Sequence, residues 1–124
     1  MTIEASQADI TRFLQAAHGG AVQFDPAAAR RCAESYDQQI DHLSQVQQRL
    51  ESVSELHGFG GFFSAEQLQA GFSRKARDTI ALLDRYIAAC YRMKEGFLIS
   101  AGLHEEAEAA HAAALQALTP EPTR

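Results

Sequence analysis

Apolar residues recur along this chain in steps of three and four, and glycine-rich breaks interrupt them, so the pattern predicts helices joined by short connections. Ile10, Phe13, Leu14 and Ala17 form the first run behind Ser6, and Gly19-Gly20 stops it. That predicts a short amphipathic packing helix over about residues 7–18. Phe24-Asp25-Pro26 opens the second helix, with Asp25 as N-cap and Pro26 at the first helical position, where its missing N–H costs nothing. Cys32, Tyr36, Ile40, Leu43, Val46, Leu50, Val53 and His57 then step along one apolar stripe, while Gln38, Asp41, Gln45, Gln48 and Arg49 make the solvated face. The expected span is about residues 26–57, roughly eight turns.

A second long helix is expected over about residues 65–101. One line along it holds Leu68, Phe72, Ala76, Ile80, Leu83, Ile87 and Cys90, and a neighbouring line holds Leu82, Tyr86, Met93 and Phe97. Together they cover an arc on the order of 160°, wider than the ~100° that one partner helix buries. The second line is therefore the expected partner face. Gly71 and Gly96 each mark either a close helix approach or a break, and Gly102 is the expected end. An alanine-rich helix follows over about residues 103–118, with Leu103, Ala107, Ala110, Ala114 and Leu118 on one side. Alanine has little area to bury, so this helix is expected to be the loosest part.

Between the two long patterns lies Gly58-Phe59-Gly60-Gly61-Phe62-Phe63-Ser64, with three phenylalanines in five positions. It reads as the elbow of an antiparallel helical hairpin. Glycine ends one helix, Ser64 with Gln67 reads as a capping box starting the next, and Phe63 with Leu68 has the spacing of a hydrophobic staple. So much aromatic surface is expected to be buried or covered by something.

The whole is expected to be an all-α fold, a single helical domain over residues 1–118 with a disordered tail, containing Pro120 and Pro122, at 119–124. The formal charge of −5 without a basic cluster argues against nucleic acid. No apolar run approaches the ~20 residues of a membrane span, and the start Met1-Thr2-Ile3-Glu4-Ala5 has no signal-peptide pattern. The expectation is a cytosolic protein or one exported without a cleaved leader. If His57 and Ala65 bound the elbow, Cys32 and Cys90 fall level across the hairpin. They are then either a disulfide, worth about 4 kcal/mol in the chain-entropy model, or two buried reduced thiols.

Chemistry is sparse. His104, Glu108 and His111 share one face of the last helix, but Glu108 stands where a metalloprotease-type motif needs histidine, and the face reads as solvated. His18 beside Gly19 and His57 beside Gly58 suit helix C-termini. No phosphate loop follows a strand, and no Ser or Cys nucleophile has its partners at recognisable spacing. Neither enzyme activity, nor a cofactor, nor a metal is expected.

A helical hairpin of this size with an aromatic-glycine elbow resembles the Trp-X-Gly family of small type VII (ESX-like) secretion substrates, over roughly Asp25 to Glu95. The alanine-rich, arginine-for-lysine composition looks like its actinobacterial side. Phe59-Gly60-Gly61 would stand in for the elbow, although the chain has no tryptophan. Tyr91-Arg92-Met93-Lys94-Glu95 matches the family's Tyr-x-x-x-Asp/Glu export element, so Tyr91 and Glu95 are its candidate residues. The resemblance implies a non-enzymatic protein that is secreted or displayed without a cleaved leader. It implies pairing into a bundle, as a homodimer or with another hairpin. The first and last helices lie outside the family pattern, as in an ESX-associated relative. The alternative is a cytosolic adaptor, chaperone or immunity-type bundle, with the elbow packed under the first helix.

Overall fold

The computed structural model describes residues 2–54 and 63–119, and among these it holds four helices and no strand. They are α1 (Ile3–His18), α2 (Pro26–Ser54), α3 (Phe63–Ser100) and α4 (His104–Leu118).

Helix α1 starts earlier than the spacing behind Ser6 predicts. Thr2 is its N-cap, its side chain accepting from the Ala5 N–H, and the added turn buries Ile3 beside Ile10, Leu14 and Ala17. A threonine hydroxyl satisfies an orphan N–H as serine would, so the first competent cap won. At the other end Ala21 N–H reaches Ala16 O and Gly20 N–H reaches Ala17 O, with Gly20 at φ 78°. Those two bonds and one left-handed residue are a Schellman cap. The same device closes α3: Leu103 N–H reaches Leu98 O, Gly102 N–H reaches Ile99 O, and Gly102 has φ 74°. Helix α3 thus runs unbroken through Gly96 and ends where Gly102 predicts. Pro26 opens α2, and the Asp25 carboxylate accepts from Ala28 N–H at 3.1 Å, as its cap role requires.

Helices α2 and α3 lie against one another in opposite directions. Lys94 pairs with Asp37 at 2.5 Å, Gln47 reaches Asp84 at 2.7 Å and the Ile80 carbonyl at 3.0 Å, and Ser73 donates to the Ser54 carbonyl at 2.8 Å. This register differs from the one drawn from the elbow, which sets Arg85 against Asp37 and Leu68 against Ser54. Facing side chains that pack and pair set the register, and a capping signal at one end locates it only to within a couple of turns.

The cysteines show the consequence. The shift offsets Cys32 and Cys90 by roughly eight residues, about 12 Å along the axis, beyond the ~7 Å a disulfide spans. Both stand as free, half-buried thiols. Tyr36 lies near both, and its own burial pushes its pKa up, with the thiols adding to the effect.

The core is small and built largely of alanine. Ala33 of α2, Leu98 of α3 and Ala107 and Ala110 of α4 form one buried cluster, with Ile99 and Leu103 packed against it. Helix α4 is therefore docked where a loose element was expected. Its small side chains bring it close enough that Ala107 is 1% exposed, and Arg30 of α2 ties down Glu106 at 2.9 Å. Leu118 points outward, 52% exposed, although it shares the alanines' predicted side.

Of the elbow, Gly58, Phe59, Gly60, Gly61 and Phe62 lie outside the described residues, as does His57. Phe63 is the first residue of α3, so Ser64 sits inside the helix and does not cap it. Leu68, its proposed staple partner, is 54% exposed.

A carboxylate between two imidazoles as candidate functional site

Three helices converge on Glu95. It lies in the last third of α3, between Lys94 and the run Gly96-Phe97-Leu98-Ile99, and its side chain is 8% exposed. One carboxylate oxygen is 2.9 Å from Nδ1 of His111 on α4, and the other is 3.3 Å from Nε2 of His18 at the end of α1. For each contact to be a hydrogen bond to an ionised carboxylate, which only accepts, the ring nitrogen that faces it must carry the hydrogen. That arrangement satisfies a group whose burial unpaired would be costly. Among the described residues no buried side-chain polar atom is left without a partner.

Around this carboxylate opens a cleft of about 640 Å³ between the end of α1 and α4. Its floor is Glu95 and Ile99, and His18, His104, Glu108 and His111 stand in its walls. The cleft exists because α1 and α4 both pack on α3 without packing on each other. The predicted face His104, Glu108, His111 is thus lining, with His111 tied inward to Glu95. Among the described residues no three His, Cys, Asp or Glu groups are placed to hold a metal ion. No Ser, Thr or Cys lines the cleft, so the imidazoles have no hydroxyl or thiol nucleophile to activate.

The seat of α1 depends on one missing side chain. A Cβ on Gly96 would overlap the Phe13 ring, with Cδ2 and Cζ at 2.7 and 3.0 Å. Of the two readings of this glycine, close approach and break, the close approach holds. Phe13, Phe24 and Tyr36 then surround Phe97, with ring centroids at 5.2, 5.2 and 6.1 Å. Phe97, expected on the partner face, is therefore covered by the chain itself. Polar bonds continue the seam: Arg85 to Glu4 at 2.9 Å and Arg92 to Thr11 at 2.9 Å. Arg85 holds the Glu4 carboxyl below the usual range.

The other sequence candidates separate along α3. Leu82 and Tyr86 are each 39% exposed, and Met93 is half-buried. Tyr91 is half-buried beneath the Lys94 ammonium, 5.5 Å from its ring centroid. Glu95, its partner in the export pattern, is inside the fold. The pairing of Glu95 with His18 and His111 is not legible from local spacing, because His18 lies 77 positions away. The available signal was a lone carboxylate within the apolar end of α3.

No family model, curated protein or solved structure matches the chain. No helix among the described residues is long and apolar enough to cross a membrane.

Proposed function

We propose that this chain is a non-enzymatic interaction protein that pairs with another helical hairpin through the outward face of α3. The observation that carries this reading is a set of large apolar side chains exposed on that helix: Leu68 at 54%, and Leu82 and Tyr86 at 39%. Scattered single apolar residues need no explanation, but several on one helix are the mark of a surface to be covered. The working face accordingly centres on Leu82 and Tyr86, while Phe97 serves the interior. Following the resemblance of the hairpin and of Tyr91 to Glu95, the protein belongs with type VII (ESX-like) secretion substrates or their associated proteins. Export without a cleaved leader follows from that reading. The Glu95 cleft is then structural, holding α1 and α4 on α3.

Two measurements test this. A photo-crosslinking residue at Leu82 is expected to capture a helical-hairpin protein or a second copy in native cells, and absence of any crosslink overturns the pairing. Fractionation with the type VII ATPase intact and deleted is expected to move the protein from medium to cells. Retention in both strains removes the secretion reading and leaves the adaptor reading.

A further inference from the structure

The pairs that hold α1 and α4 on α3 leave the space between those two helices open. Each oxygen of Glu95 meets one imidazole, and an ionised carboxylate has about four acceptor sites in all, so part of its capacity is uncommitted. That carboxylate forms the floor of a cleft of about 640 Å³, within the ~300–1,000 Å³ of small-molecule sites. On the wall, one turn from His111, Glu108 is exposed and makes no hydrogen bond or ion pair among the described residues.

Charge selects the ligand. The lining carries two carboxylates and neither lysine nor arginine. A histidine that donates to Glu95 keeps its other ring nitrogen as an acceptor while it is neutral. The end of α1 and the start of α4 both reach the cleft, and their partial charges, about half a unit each, have opposite sign and offset one another. The remaining field favours a cation rich in hydrogen-bond donors. A metal ion would lack a coordination shell, since among the described residues no three ligating groups are placed to hold one. An extended organic cation fits better, because Ala17, Ile99 and Ala107 add apolar lining to the same cleft.

We infer that the cleft binds a small aliphatic diamine. One ammonium sits on the uncommitted side of Glu95, the other at Glu108, and the methylenes lie along Ala17, Ile99 and Ala107. The contacts of Glu95 with His18 and His111 stay in place and hold the floor. This role is separate from pairing through α3 and is read on the isolated chain.

NMR titration of the full chain with 1,4-diaminobutane near neutral pH tests it. Saturable amide shifts are expected at Gly20, Ile99 and Ala107, with a dissociation constant of about 1 mM or lower. Losing one exposed ion pair should weaken 1-aminobutane about threefold to fivefold, and 1,4-butanediol should not bind. Glu108→Gln, at an exposed position, is expected to bring the diamine down to the monoamine's affinity with an unchanged helical circular dichroism spectrum. Glu66→Gln, the same charge change at the far end of α3, should leave the affinity as it was. Absence of shifts, shifts spread over the acidic surface, binding of the diol as tight as that of the diamine, or equal weakening by the two variants overturns the inference.

Discussion

The two ends of α3 differ in company. Toward its C-terminus α3 meets α1, α2 and α4, and there even a carboxylate, Glu95, is 6% exposed. Toward its N-terminus it lies along α2, and leucine and phenylalanine stand half in water. The two ends carry equal numbers of charged residues, but the C-terminal half holds more of the large apolar ones. Burial therefore follows the number of neighbouring helices together with the apolar residues that face them, and one continuous element is a core at one end and a surface at the other.

Truncating a leucine at each end gives the largest contrast. Leu98→Ala, at a position 3% exposed, is expected to cost about 2–4 kcal/mol in urea unfolding, whereas Leu68→Ala should stay within about 0.5 kcal/mol. Similar losses at the two positions would mean that α3 is covered along its whole length. The glycines should give opposite signs. Gly96→Ala drives a methyl into Phe13, costing about 1–3 kcal/mol against a propensity gain of about 1 kcal/mol. Gly71→Ala meets nothing within 4 Å among the described residues and should stabilise by about 0.5–1 kcal/mol. Thermal melts of the two variants on either side of the parent are the expected result.

Glu95→Gln exchanges one acceptor for a donor facing an imidazole N–H. The loss should be about 1–2 kcal/mol, since both imidazoles are more than half exposed. Hydrogen exchange should show it as faster opening at the end of α1 and in α4, with the Ser54–Ser73 end unchanged. Acidification should act more weakly on the same end. Arg85 lowers the Glu4 pKa and Arg30 lowers that of Glu106, chiefly through hydrogen bonds to their side chains. For a carboxylate lowered on folding, the stabilisation is present above the ordinary carboxylate range and fades as pH falls through the lowered value. Both pairs lie at the surface and are screened, so the expected signal is a small, salt-sensitive loosening of α1 and α4 below about pH 4.

The helices themselves were legible because 3.6-residue periodicity and caps are local: Asp25-Pro26 and Gly102 act where they stand. What the spacing missed is relational. The wide apolar arc on α3 was visible, but its division into a part covered by α1 and a part left bare depends on where α1 lands. The Cys32–Cys90 pairing failed for a related reason, since two turns of register separate a level pair from two isolated thiols. Alanine misled in α4 because area alone measures poorly how tightly small side chains let helices approach. Glu95 was visible as half of a Tyr-x-x-x-Glu pattern, while its structural partners came from the two helices the pattern ignores.

The docking of α1 also bears on the order in which the chain folds. Glu4 meets Arg85 across 81 positions, and Phe13 needs Gly96. A nascent chain emerging N-terminus first has no seat for α1 until nearly all of α3 has followed it. Closing so long a loop is slow compared with zipping α3 onto its sequence neighbours α2 and α4. Until then the amphipathic first helix waits with its apolar side uncovered, and the Glu95 cleft has only one wall.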